Sequence, residues 1–162
     1  MSIPVLDSGA IFDSSAQYRY LLWRVWNPDY PHIVFIMLNP SRADGKTNDP
    51  TIRRCLGFSQ SWGYGSLAVV NLFAYCASSP RILQQIVDPI GPETDRYLLE
   101  AIASSNRLIL AWGNHGIWLN RGQTVLGLIP PQLQPDCLGL TRQRQPRHPL
   151  YVRKTSMPIP YL

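Results

Sequence analysis

Hydrophobic residues in this 162-residue chain form four short continuous runs, and each run ends in a polar loop. Continuous runs, as opposed to alternating ones, are typical of strands that are covered on both faces of a parallel sheet. We therefore predict four mostly parallel central strands. They occupy residues 33–38, 66–71, 107–112 and, for a shorter strand, 136–141.

Segments with helical spacing alternate with these runs, and Pro50 and Pro92 stand where proline suits the first turn of a helix. The predicted helices cover about 50–62, 80–87 and 92–104, and a fourth follows the turn at 113–116 and runs to about 128. This alternation predicts one α/β domain over residues 1–162, with a mostly parallel four-stranded sheet and helices on both of its faces.

An aromatic and apolar stretch at 17–26 predicts an additional N-terminal antiparallel strand. A strong turn at 27–31, which contains Pro28 and Pro31, separates it from the strand at 33–38. The two strands then either form a hairpin or the first covers an edge of the sheet. The residues before this stretch are expected to be loosely held.

Composition narrows the functional classes. No apolar run approaches the length of a membrane span, and the N-terminus lacks the pattern of a signal peptide, so we expect a cytoplasmic protein that does not associate with membranes. Cys55, Cys76 and Cys137 are widely separated and form no CxxC pair, so we expect reduced thiols, no metal and no cofactor.

The chain carries a net charge of +5, which permits an anionic partner. From Cys137 to the end it has basic residues and no acidic one. This segment is either a solvated basic tail or a surface that contacts phosphates. Its basic residues are Arg142, Arg144, Arg147, Arg153 and Lys154.

The loops that follow the four predicted strands are polar. The carboxyl ends of parallel strands lie at one edge of a sheet, where open α/β proteins bind their ligands. We therefore predict that four loops distant in sequence converge on one cleft. They carry Asn39-Pro40-Ser41, Asn71, Gly113-Asn114-His115 and Arg147-His148-Pro149.

The order of these motifs resembles the uracil-DNA glycosylase superfamily, from about Ile33 to Tyr151. The likeness rests on Leu38-Asn39-Pro40-Ser41, the strand that ends at Asn71, the turn Leu110-Ala111-Trp112-Gly113-Asn114, and His148-Pro149. The resemblance implies a three-layer α/β/α fold. With the patterns at 49–54 and 62–65, the chain is also identified as a member of a bacterial domain family of unknown function that is DUF1643-like.

The resemblance implies roles for individual residues. Asn39 would orient water, His148 would donate a hydrogen bond to the departing base, and Asn71 would pair with the base edge. An amide cannot act as a general base, and Asn39 stands where the fastest members of the superfamily have Asp. Asn39 and Asn71 could instead satisfy turn or loop backbone, and His115 could simply begin a helix.

Further candidates surround these residues. Pro40, Ser41 and Asn114 would contribute to ligand binding, and Trp62, or else Phe58 or Tyr64, would stack on a base unless it packs in the core. Asp44 and Asp49, with Arg53 or Arg54, would supply acid–base or ribose-binding groups; alternatively Asp49 caps the helix and Asp44 is solvated. Leu150, Tyr151 and Val152 are candidates for a wedge into a base stack. The predicted phosphate contacts are Arg42, Arg53, Arg142, Arg144, Arg147 and Tyr151.

Three functions are compatible with this pattern. The first is a DNA glycosylase-like enzyme that recognises an extruded or altered base and hydrolyses its N-glycosidic bond. The second is a non-catalytic module that binds nucleic acid, with DNA favoured, or a nucleotide. The third is a hydrolase or transferase that acts on a small nucleotide through Asp44 and Asp49. The sequence does not predict an oligomeric state.

Overall fold

A seven-stranded mixed sheet forms the centre of the computed structural model, which describes residues 3–162. In chain order the strands are β1 (Asp7–Phe12), β2 (Arg19–Val25), β3 (His32–Met37), β4 (Ser66–Asn71), β5 (Arg107–Leu110), β6 (Asp136–Cys137) and β7 (Ile159–Pro160). Their spatial order is β1-β2-β4-β3-β5-β6-β7. Neighbours among β4, β3, β5 and β6 are parallel, as the continuous apolar runs predict. The α/β fold is thus confirmed.

The N-terminal strands differ from the prediction. β2 pairs antiparallel with β4 and not with β3, because β3 has parallel partners on both sides. The hairpin alternative is therefore wrong, and β2 flanks the parallel strands instead. β1 pairs antiparallel with β2 from Asp7 to Phe12, so the expectation of loosely held residues is wrong for that segment. At the opposite edge, β7 pairs antiparallel with β6.

Four α-helices cover the two faces of the sheet: α1 (Pro50–Ser61), α2 (Pro80–Leu83), α3 (Thr94–Ser104) and α4 (Arg121–Leu126). Alternate side chains of β3 point to opposite faces. Phe35 packs in the core under α1, with Ile52 and Phe58. Ile36 packs in the other core, with Leu98 of α3 and residues of α2 and α4.

Several predicted elements are shorter than expected. The helix predicted over 80–87 ends at Leu83, and the strand predicted over 107–112 ends at Leu110. In place of one helix from the turn at 113–116 to about 128, the segment Asn114–Asn120 is a 3₁₀ helix. It ends where Leu119 and Asn120 both adopt positive φ, before α4 begins. The strand predicted over 136–141 ends at Cys137, and Gly139 has φ +117°. These interruptions bend the chain around the carboxyl end of the sheet.

Candidate functional site

A cleft of about 810 Å³ lies beyond the carboxyl ends of β3 and β5. Its wall includes residues of the loop after β3, the start of α1, the loop before α2, the turn after β5 and the loop before the chain's last strand. The cleft therefore brings together side chains from three of the four strand-end loops that the sequence singled out. The predicted site residues on its wall are Asn39, Pro40, Ser41, Arg42, Asp49, Asn114, His115, Arg147, His148 and Tyr151.

Asn39 is half-buried at the end of β3, and its amide nitrogen is fully used. It donates to the carbonyl oxygens of Pro40 and Ala77, each at 2.9 Å, which ties the loop after β3 to the loop before α2. An amide nitrogen has only two hydrogens. The Oδ1 atom accepts no hydrogen bond from residues 3–162. Asn39 therefore serves the loop backbone through its nitrogen and presents an acceptor through its oxygen.

His148 is half-buried, and its Nδ1 accepts a hydrogen bond from the backbone N–H of Leu150 at 3.2 Å. This bond requires Nδ1 without a proton, so the neutral ring carries its proton on Nε2. Burial lowers the pKa of His148, and the negative charge of Asp49 opposes that shift. The imidazole is therefore a neutral donor through Nε2 near pH 7.

Contacts from the sheet and from α1 hold the His148 loop in place. Arg54 donates through Nη1 to the carbonyl oxygens of Val152 at 2.7 Å and Pro149 at 3.4 Å. Gly113 donates its backbone N–H to Pro146 at 2.7 Å, and Trp112 donates Nε1–H to the Oε1 atom of Gln145 at 3.0 Å. Both ends of this loop are thus fixed to elements that themselves pack in the core.

The turn after β5 is built around Gly113, which has φ +76°. Glycine adopts this conformation without the steric cost that other residues incur. The following Asn114 accepts a hydrogen bond from Thr141 Oγ1 through Oδ1 at 2.5 Å. That bond joins the turn to the loop before His148, and it leaves the amide nitrogen of Asn114 available at the cleft.

Two cationic and two apolar side chains stand at the exposed rim. Arg42 and Arg147 line the cleft and are exposed, and Tyr151, which is 79% exposed, lies beside Leu150. The rings of Tyr151 and His148 are 5.7 Å apart between centroids. An exposed aromatic beside positive charge suits contact with bases and phosphates.

Asp49 is the acidic side chain on the cleft wall. Its Oδ1 accepts the backbone N–H of Ile52 at 2.9 Å, which is the helix cap that the sequence predicted as one alternative. Its second carboxylate oxygen is not needed for the cap. Asp49 therefore both caps α1 and lines the cleft.

Several predicted site residues lie away from the cleft. Asp44 is exposed, and its carboxylate accepts the backbone N–H groups of Lys46 and Thr47, which lower its pKa. Arg53 bonds the carbonyl oxygen of Asn48 at 3.0 Å. Arg142 and Arg144 are exposed and do not line the cleft. The structure therefore does not place Asp44 at the cleft, and the phosphate contacts of the three arginines stay predictions.

Asn71 is buried, and Trp62 is half-buried and packs against the core. Asn71 is 3% exposed and does not line the cleft, and neither polar atom of its amide has a hydrogen-bond partner among residues 3–162. Trp62 stacks on Phe58 with centroids 5.1 Å apart and donates Nε1–H to the Ser156 carbonyl oxygen at 3.2 Å. Trp62 therefore matches the alternative of core packing.

Sequence reasoning missed Arg19, which lines the cleft although it is 2% exposed. Arg19 interrupts an aromatic and apolar strand, and a charge in such a stretch is the signal that could have indicated a buried functional residue. The hydroxyl-bearing residues Thr51, Ser78 and Ser79 on the wall were also missed. A clue was present for Ser79, which stands directly before Pro80 at a helix start.

The fold and the site define an α/β protein with a polar cleft of ligand-binding size at the carboxyl ends of its parallel strands. Within residues 3–162, no three His, Cys, Asp or Glu side chains are grouped so that they could hold a metal ion. None of the helices in the same part of the chain has the length and hydrophobicity that a bilayer-spanning segment needs.

A family model described as "Protein of unknown function (DUF1643)" matches residues 19–150. The chain belongs to this family, and the match includes every cleft residue discussed above except Tyr151. Searches of curated proteins and of solved structures found no match to this chain.

Proposed function

We propose that the cleft binds a nucleobase and hydrolyses its N-glycosidic bond, in a three-layer arrangement like that of the uracil-DNA glycosylases. The observation that carries the proposal is the complementary hydrogen-bonding state of Asn39 and His148 on one cleft wall. Asn39 offers an acceptor oxygen and His148 offers a neutral donor. Water activation and leaving-group stabilisation require one group of each kind.

The reaction can be written with these groups. A water molecule held by Asn39 Oδ1 forms a bond from its oxygen to the anomeric carbon, while the bond from that carbon to the base nitrogen breaks. The electron pair stays on the base, and the Nε2–H of His148 stabilises the resulting negative charge. Asn39 cannot accept the proton released by water, so Asp49, which has a carboxylate oxygen outside its cap, receives it.

The rim supports a nucleic acid as the carrier of the base, with DNA favoured. Arg42 and Arg147 can contact phosphates beside the opening, and Tyr151 and Leu150 can enter the space that an extruded base leaves. The net charge of +5 favours the approach of a polyanion. Binding by this rim is expected to weaken steeply as salt increases.

The test is a panel of oligonucleotides, single- and double-stranded, that contain uracil, hypoxanthine, mismatched thymine or an alkylated base. We expect base release from at least one of them, with losses of 100-fold or more in Asn39→Ala and His148→Ala, on the scale of general acid–base effects. Gln123→Ala, an exposed amide on α4, is the matched control and should keep full activity. Wild-type protein that leaves the whole panel intact would refute the hydrolase proposal.

A second candidate is a non-catalytic module that binds nucleic acid or a nucleotide, or else a hydrolase or transferase that acts on a small nucleotide. The amide at position 39 favours it, because an amide is a weaker means of activating water than a carboxylate. The two alternatives within this second candidate differ in the size of their ligand. Salt-dependent binding of oligonucleotides without base release supports the module, and tighter binding of free nucleotides supports the small-nucleotide site.

A further inference from the structure

Three arginines are almost completely buried: Arg24 is 1% exposed, Arg19 is 2% and Arg121 is 3%. Two of them are satisfied by the protein. Arg121 forms an ion pair with Asp95 and donates Nε–H to the Leu72 carbonyl oxygen at 2.7 Å. A buried guanidinium is costly unless it is paired or fully hydrogen-bonded, so these contacts are what we expect.

Arg24 lies on the same strand as Arg19, and its guanidinium is fully hydrogen-bonded by the protein. Its three nitrogens make five hydrogen bonds, between 2.6 and 3.3 Å, to oxygens of the surrounding backbone and of one side chain. The acceptors are Gly9, Trp23, Asp44, Thr47 and the side chain of Asn48. Arg24 therefore fixes the loop between β3 and α1.

Arg19 departs from this pattern. Its Nη1 donates to the Ala43 carbonyl oxygen at 3.0 Å, and its Nε is buried with no hydrogen-bond partner in the part of the chain that the structure describes. Among residues 3–162 it makes no ion pair: Asp49 lines the same cleft, but no carboxylate oxygen lies within 4.0 Å of the guanidinium. Most of its hydrogen-bonding capacity is therefore unused.

The guanidinium remains charged under ordinary conditions. Burial lowers the pKa of Arg19 to about 10, and the charge of Asp49 acts in the opposite direction. At pH 7 a group with such a pKa is almost wholly protonated. Arg19 thus contributes to the cleft wall a buried positive charge that forms no ion pair among residues 3–162.

We propose that Arg19 is the binding site for the phosphate group of a small ligand held in this cleft. Guanidinium matches phosphate oxygens with paired N–H donors. The cleft is lined by three arginines, by the hydroxyl-bearing Thr51 and Ser78, and by one carboxylate, that of Asp49. These residues offer more hydrogen-bond donors than a ligand with a single carboxylate group would use. Arg42 and Arg147 can reach other oxygens of the same ligand.

The burial of Arg19 in the cleft determines which kind of phosphate group can reach it. An internal phosphate of a nucleic acid continues into the strand on both sides, so it belongs at the rim, beside Arg42 or Arg147. A side chain that is 2% exposed can meet only a terminal phosphate that enters the cleft. The cavity of about 810 Å³ is large enough for a nucleoside monophosphate. The nucleoside part of this assignment rests on the small-nucleotide candidate of the proposed function, whereas the phosphate site does not.

The test uses inorganic phosphate, nucleoside 5′-monophosphates and the matching nucleosides with the full chain. Binding is followed by calorimetry and by the NMR signal of the Arg19 Nε–H group. We expect phosphate and at least one monophosphate to shift this signal. We also expect the monophosphate to bind tenfold or more tightly than its nucleoside, the scale of one charge-assisted pair of hydrogen bonds.

Arg19→Gln should remove the preference for the monophosphate, and Arg153→Gln, which loses the same charge outside the cleft, should keep it. If Arg19→Gln does not fold, the shift of the Arg19 signal in the wild-type protein decides the question. An effect of inorganic phosphate alone would support the site and assign it to free phosphate or another ester. No response of the Arg19 signal to phosphate or to any monophosphate would overturn the proposal. Failure of base release with this response intact would affect only the hydrolase.

Discussion

Replacing each of the two buried arginines of β2 by methionine should change stability in different ways. Arg24→Met removes five hydrogen bonds that hold the loop between β3 and α1. At a net value of roughly 1 kcal/mol each, reduced where water can replace the donor, the loss is about 3 to 5 kcal/mol. For a domain of this size that corresponds to a drop of roughly 6–20 °C in Tm.

Arg19→Met removes one hydrogen bond, to Ala43, and with it a buried charge that has no counter-ion. The lost bond costs roughly 1 kcal/mol, whereas desolvation of an unpaired buried charge costs several kcal/mol. Methionine also preserves much of the apolar volume of the arginine stem. We therefore expect the stability of Arg19→Met to equal or exceed that of the wild type.

Urea unfolding of the wild type and both variants measures the difference directly, provided that the slope with denaturant is unchanged. Arg153→Met, an exposed substitution, controls for the loss of charge. The two variants should differ by about 3 kcal/mol or more. Equal destabilisation would show that Arg19 has a structural role like that of Arg24, and it would remove the reason to assign Arg19 to a ligand.

Two further predictions concern the wall of the cleft. An NMR titration should give His148 a pKa below the ordinary value of about 6.5 with the neutral proton on Nε2. Because the folded-state pKa is the lower one, the contribution of His148 to stability is complete above about pH 6.5 and is lost as the pH falls towards the folded-state pKa. His148→Gln should flatten that part of the pH profile, and an unchanged profile would contradict this assignment. Gly113→Ala should lower the free energy of unfolding, measured with urea, by about 1–2 kcal/mol because φ is +76°. The added Cβ has room, since the nearest atom, the Cβ of His148, is 3.9 Å away. A neutral result would mean that the turn relaxes.

The central strands could be predicted because their sequences have one explanation. Residues 33–37 are buried on both faces of the sheet, so the strand must be apolar throughout. The Asp49-Pro50 pair located the start of α1 for an equally local reason, since a side-chain cap and a proline in the first turn need no tertiary contact.

The edges and interruptions could not be predicted in this way. β1 lies at an edge, where one side of the strand has no partner and few side chains need to be apolar. The break before α4 depends on packing: a Cβ on Gly116 would lie 2.1 Å from the Trp112 ring. Gly116 approaches the ring of Trp112, four residues earlier and just after β5, and a pattern of apolar and polar positions does not record such a contact.

The same distinction applies to the residues of the site: some positions could be predicted from local sequence and others could not. Asn39 and His148 stand next to prolines at the ends of buried segments, so their positions could be expected from sequence order alone. Whether a strand-end side chain faces the cleft or the core depends on the register of the sheet. Asn71 pairs in register with Met37, and the Met37 side chain lies in the core under α1. A shift by one residue would reverse the face, which sequence spacing does not resolve.

The unsatisfied polar atoms provide the strongest link between fold and function. Buried side-chain polar atoms without a partner are, among residues 3–162, Arg19 Nε and the two amide atoms of Asn71. Arg19 and Asn71 lie in neighbouring strands, on the α1 side of the sheet. Arg19 donates a hydrogen bond to the Ala43 carbonyl oxygen, and Asn71 is paired in register with Met37. Ala43 and Met37 belong to the same core cluster. A fold selected for stability alone would place apolar residues there, because unpaired buried polar groups cost roughly 1–3 kcal/mol each. Arg19 lines the cleft, so its cost argues that this side chain is retained for a ligand, whereas Asn71 does not line the cleft and the structure gives no reason for its cost.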